Sequence, residues 1–152
     1  MGLKVIAKTF PDNDLAREKY WLPFLKNELG ADENTIIIGH SSGAVAAMRF
    51  AEKNKILGSV LVSACYTDLG DEKEKISGYY NRPWNWQAIM ENQKCIIQYA
   101  SVDDPYIPIS EALYIRDRLS SLYFEYTDQQ HFYPKFDFPE IIQAVKNKLG
   151  IK

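Results

Sequence analysis

Cysteine is scarce in this chain: two residues, Cys65 and Cys95, among 152. Neither belongs to a C-x-x-C pair, and both lie in or beside apolar runs. That excludes a disulfide scaffold and reads as buried thiols in a reducing compartment. Histidine is equally scarce, at His40 and His131, so any chemistry that needs an imidazole must use one of these two. There is no basic run, and the net charge is −2, which argues against nucleic-acid binding. No window approaches the run of about 18 apolar residues that a membrane span needs. The N-terminus shows no signal-peptide pattern, so a cytoplasmic protein is the default expectation, with the nucleus left open. Internal repeats, low-complexity tracts and a phosphate-cradling glycine loop are also missing. Without Cys/His ligand spacing, no metal is expected, and no organic cofactor either.

What is present is ordinary for a globule: 46% apolar and 25% charged residues, in a length that suits a single domain over residues 1–152. One stretch stands out, TIIIGHSSGAVAAMRFAE from Thr35 to Glu52. The β-branched run Thr35–Ile38 suits a buried strand, and Ala44–Glu52 reads as helix. Between them lies G-x-S-x-G at Gly39–Gly43, the strand–turn–helix context of a nucleophile elbow. A Ser hydroxyl is a weak nucleophile and must be held exposed beside a base. The sharp turn that exposes Ser41 demands small neighbours, here Gly39 and Gly43. The following helix N-terminus offers free N–H groups to a developing oxyanion, with the Ser42 N–H as the expected donor. A bare G-x-S-x-G arises by chance in about one chain in twenty of this length, so the flanking pattern matters.

In chain order, Leu3–Lys8 reads as a strand. A helix capped by Asp14 is predicted to run to Leu29, kinked at Pro23 and stopped at Gly30. Further strands are expected at 56–63, 95–100 and 122–126, with helices over 110–119 and 138–149. Alternation of strand and helix implies an α/β fold with a mostly parallel sheet covered on both faces, a three-layer sandwich. Residues 66–91 are too long and too aromatic for a plain connector. They are expected to form a lid or pocket wall in which Tyr80, Trp84 and Trp86 line a substrate pocket. The competing reading is a loop packed onto the core.

A Ser nucleophile needs a base, and the base needs an orienting carboxylate. His40 precedes Ser41 and leaves the turn in another direction, so it is read as packing or bonding locally. His131, in the loop after the last strand, is the candidate base. Asp103 and Asp104 both stand at the end of the preceding strand; the D-x-x-x-P spacing from Asp104 to Pro108 favours Asp104, with Asp103 left to cap or face solvent. The order Ser41, Asp104, His131 is that of α/β-hydrolases.

Several runs together resemble the retinoblastoma-binding protein 9 family of serine hydrolases: YWLPF (Tyr20–Phe24), TIIIGHSSGA (Thr35–Ala44), LVSA and TDLGDE (within Leu61–Glu72), SGYYNRPW (Ser77–Trp84) and SVDDPYIP (Ser101–Pro108). The resemblance implies an α/β-hydrolase fold, the triad Ser41, Asp104 and His131, and hydrolysis of small esters or amides, including amino-acid esters and short peptides. It also implies that a first strand and a glycine-rich oxyanion loop of the family are absent here, with Met1-Gly2-Leu3 running straight into the family's second strand. Gln130 stands before His131 where many hydrolases carry Gly. The alternative the resemblance raises is a catalytically impaired binding or regulatory protein on the same scaffold. A retinoblastoma-type partner would read L-x-C-x-E, but Leu29–Glu33 has Ala31 in place of the Cys.

Overall fold

The computed structural model describes residues 3–135 and 137–151. Four runs rich in β-branched and aromatic residues form strands: β1 (Ile36–His40), β2 (Gly58–Val62), β3 (Cys95–Ser101) and β4 (Leu122–Tyr126). All pairs are parallel, in the spatial order β1-β2-β3-β4. When successive parallel strands are laid down in one direction with right-handed crossovers, the connecting helices fall on one face of the sheet. Helices α2 (Ser42–Ala51), α4 (Trp86–Glu91) and α5 (Ile109–Leu119) do so, burying Leu61 and Ile96 against Phe50, Ile89 and Ile115. Helix α6 (Pro139–Leu149) follows the last strand and covers the opposite face, where Val60, Val62, Ile97 and Tyr99 meet Ile141 and Val145. Strands β2 and β3 are thus buried on both faces, which is why they read as mainly apolar runs without polar alternation. This is the α/β three-layer arrangement that the sequence pattern implies.

Two expectations are corrected, and one helix is added. Leu3–Lys8 is not a strand: it pairs with nothing in the sheet, and Leu3, Val5 and Ile6 are exposed, Val5 at 81%. β-propensity is realised only through a ladder partner and a packed face, and this segment has neither. β1 is consequently an edge strand, with Ile38 54% exposed. The helix expected from Asp14 to Leu29 is shorter and broken: α1 covers Glu18–Pro23, and Phe24–Glu28 forms a π-helical turn. Pro23 lacks an N–H, and the ladder resumes in wider register, with the Leu29 N–H bonded to the Phe24 carbonyl five residues back. Asp14 caps nothing; instead Asp12 and Ala16 take positive φ in an irregular loop pinned by the Asp12–Arg17 pair. Lastly, α3 (Glu72–Ser77) forms within the aromatic segment, its N-terminus capped by the Asp71 carboxylate and its end turned by Gly78 at φ +90°. No helix among the described residues is long and apolar enough to cross a membrane.

Candidate active site

β1 delivers Ser41 to the carboxyl end of the sheet. The backbone there is strained, with Ser41 at φ 54°, ψ −118°, a conformation that costs a non-glycine residue roughly 1–3 kcal/mol. The turn is held from both sides. The Ser41 N–H donates to the Val62 carbonyl at 2.9 Å, continuing the β1–β2 ladder, and its carbonyl accepts from the N–H groups of Ala44 and Val45. A Cβ on Gly39 would overlap the Gly43 carbonyl, whereas one on Gly43 would meet nothing within 4 Å. The close approach therefore requires glycine at 39 and not at 43. The first intrahelical bonds of α2 start at Ala44, so the Ser42 N–H stands at the helix N-terminus with no acceptor in its own helix.

Ser41, Ser42 and His131 line one cavity of about 490 Å³. His131 reaches it from the loop after β4. Its Nδ1–H donates to Asp104 Oδ2 at 2.8 Å. The Asp104 side chain is only 3% exposed, and its other oxygen accepts the Tyr106 and Ile107 N–H groups at 2.9 and 3.1 Å. An imidazole tethered at Nδ1 by a fixed carboxylate presents Nε2 as a proton acceptor. Tyr106 packs edge-on against the His131 ring, centroids 5.1 Å apart. Asp103 is exposed, as expected, but it also takes a 2.5 Å bond from the Ser101 hydroxyl and a 2.8 Å bond from the Gln130 N–H. The Ser101 bond, more than the Gln130 one, holds its carboxyl below the usual range.

His40 bonds far from local. Side chains alternate along a strand, and His40 pairs with Val62, so it projects on the face where the histidine loop lies. Its Nε2–H donates to the His131 carbonyl at 2.7 Å. Partial desolvation lowers its imidazole below the usual 6.5, with the His131 carbonyl acting the other way.

Tyr80, Trp84 and Trp86 are not part of the cavity wall. Tyr80 stands behind it, its hydroxyl bridging Cys65 and Glu74, which do line the cavity. Trp84 lies over the Arg49 guanidinium at 3.6 Å and stacks on Trp86, and its indole N–H donates to the Tyr66 carbonyl. The tryptophans therefore pack against the Arg49 side chain of α2 and the core cluster rather than in the cavity wall. Sequence reasoning missed their partner: Arg49 is 1% exposed and binds the Tyr79, Arg82 and Pro83 carbonyls and the Glu52 carboxylate. It missed Glu111 too, whose buried carboxylate receives both backbone N–H groups of Tyr66 and Thr67 and the Thr67 hydroxyl. The cavity is lined instead by Asn13–Ala16 and by α3, which contributes Lys73 and Glu74. Asp71 is engaged as a helix cap and Glu74 by Tyr80, and the described residues bring no set of three potential metal ligands together. Cys65, which also lines the cavity, is pushed up to about 12 by burial, which makes it a poor nucleophile.

Known proteins share this arrangement of strands. The ydeN gene product of B. subtilis superimposes with a TM-score of 0.82 at 22% identity, over 94% of this chain and 81% of that one. The α/β-hydrolase MGS-M2 from a deep-sea metagenome library gives 0.66 at 14% identity, over 95% and 74%. At such identities these matches establish the α/β-hydrolase fold alone. In sequence, the serine hydrolase RBBP9 of Rattus norvegicus is 49% identical over 148 residues, which span 97% of this chain and 79% of the rat protein. The serine hydrolase family profile matches residues 7–145, a span that holds the strained elbow, the buried carboxylate and the tethered histidine alike, and the chain belongs to that family.

Proposed function

We propose that the chain cleaves small esters or amides by acyl transfer to Ser41. The observation that carries this reading is that Ser41, on its strained turn, opens into the same cavity as an imidazole whose Nδ1–H is held by a buried carboxylate. His131 Nε2 takes the Ser41 proton as Oγ bonds to the carbonyl carbon. The oxyanion forms against the Ser42 N–H. The imidazolium, stabilised by Asp104, then protonates the leaving alcohol or amine. Water, deprotonated by the same nitrogen, releases the acid and restores Ser41. The reaction as proposed draws on no metal or organic cofactor.

Within this class we favour substrates that carry an ammonium group, such as amino-acid esters. Asp14, Asp71 and Glu74 line the cavity against the single cation of Lys73, a balance suited to a positive substrate group. The binding-protein alternative is not favoured. Leu29–Glu33 is folded as a helix stop, with Gly30 at φ +66°, Ala31 buried and Asp32 in a turn with Thr35, so it offers no extended docking segment. A fluorophosphonate probe should label the parent and not Ser41→Ala. Labelling that survives the substitution, in folded protein, overturns the assignment. Phenylalanine methyl ester should be cleaved faster than its N-acetyl derivative; equal rates would remove the ammonium preference while leaving the nucleophile in place.

A further inference from the structure

His131 sits in a loop that contains no glycine, between Gln130 at φ 49° and Phe132 at φ 54°. Both angles are left-handed, a region L-residues avoid, so local preference does not hold the loop in this shape. It is imposed from outside. On one side the Phe132 ring is buried in the cluster beneath α6. On the other, the Gln130 N–H donates to Asp103 Oδ1 at 2.8 Å, and the Ser101 hydroxyl donates to the same oxygen while accepting the Gln129 N–H at 3.1 Å. From a third direction His40 Nε2–H reaches the His131 carbonyl at 2.7 Å, with the two rings 4.7 Å apart. A carbonyl can only accept, so the proton on Nε2 is fixed by this bond. His40 is the residue before Ser41, and Asp103 is the residue before Asp104.

We propose that His40 and Asp103 are positioning residues that clamp the backbone of the histidine loop, at the His131 carbonyl and the Gln130 N–H, and so set the His131 ring against Ser41. The inference rests on His131 being the base. Each clamp residue is the chain neighbour of another member of the proposed triad. Nucleophile, acid and base are thereby referenced to one another through the main chain, and not only through the side chains that react. A displacement of about 1 Å at a reacting group can cost on the order of a hundredfold in rate.

His40→Phe keeps the ring packing and removes only the donor. It should lower kcat for p-nitrophenyl acetate by about 10- to 100-fold with KM within about twofold. His40→Gln, whose amide can donate to the same carbonyl, should recover most of the loss. Asp103→Ala should resemble His40→Phe, and Asp103→Asn, which keeps an acceptor, should resemble the parent. Proton NMR adds a readout that general destabilisation would not give: the downfield His131 Nδ1–H signal should broaden or shift in His40→Phe while thermal unfolding stays near the parent's. His131→Ala is the reference. If it abolishes turnover while His40→Phe and Asp103→Ala stay within about threefold of the parent, the clamp is refuted and the base stands. If His131→Ala keeps full activity, the reading of the base itself fails. Should His40→Phe not fold, the Asp103→Ala and Asp103→Asn pair tests the clamp at its other point, by the same rates and the same resonance.

Discussion

Replacing Arg49 with Met should destabilise the protein by about 4–5 kcal/mol. Arg49 lies on α2 and makes five hydrogen bonds, four to the carbonyls of Tyr79, Arg82 and Pro83 and one to Glu52 Oε1 at 2.6 Å. Met fills a similar volume but strands three carbonyls where water has little access, at about 1 kcal/mol each. Glu52, 7% exposed, would keep only the Arg82 guanidinium at 3.7 Å and the Asn85 N–H. Breaking a buried ion pair can cost about 3–5 kcal/mol, but this remaining partner reduces the share to about 1. The stacked cation on Trp84 contributes up to about 1 more. Against a domain stability of about 5–15 kcal/mol, this is a large fraction. Urea unfolding followed by circular dichroism should show the midpoint falling by about 3 M at an m-value near 1.5 kcal/mol/M. Arg49→Lys keeps the charge but not the forked geometry, and should lose about half as much. A loss below about 1 kcal/mol for Arg49→Met, at unchanged m, would refute the view that this guanidinium fastens residues 79–84 to α2.

The elbow glycines should behave oppositely. Gly39→Ala forces a Cβ into the Gly43 carbonyl and should cost about 3 kcal/mol or prevent folding, whereas Gly43→Ala should be neutral or stabilise α2 by up to about 1 kcal/mol; similar melting temperatures for the two would contradict the packing described. Trp84→Ala should lower stability by about 2 kcal/mol while leaving the ratio of KM values for aromatic and acetate esters unchanged, because Trp84 packs on Arg49 and not in the cavity; a selective rise in KM for aromatic esters would place it back at the substrate. Acid should weaken the fold through two carboxyls: Asp12, lowered to about 2 chiefly by the Arg17 side chain, and Asp103, lowered chiefly by the Ser101 hydroxyl. A depressed carboxyl stabilises the fold fully above its usual 3.8 and loses that contribution as pH falls toward 2, because the unfolded chain takes up the proton first. Urea midpoints measured from about pH 5 to about pH 2 should therefore decline, and less steeply in Asp12→Asn; identical slopes would show that the Asp12–Arg17 pair adds nothing.

The sequence by itself determined the features that depend on neighbours in the chain. Runs such as Cys95–Ala100 are strands because their apolar residues fill both faces of a parallel sheet. Gly39-His40-Ser41-Ser42-Gly43 is an elbow because a strand must turn at once into a helix there. Ser41, Asp104 and His131 could be named together as candidates for the same reason, since each follows the end of a strand, where a parallel sheet gathers its loops. The tertiary structure decided what depends on partners distant in sequence. Leu3–Lys8 has the composition of a strand but pairs with none. Trp84 and Trp86 have the composition of a pocket wall, but a buried guanidinium 35 residues before Trp84 holds that ring against α2. His40 and Asp103 looked incidental because the histidine-loop groups they bind, 91 and 27 residues away, are backbone atoms. Every residue carries such atoms, and only the folded geometry selects among them.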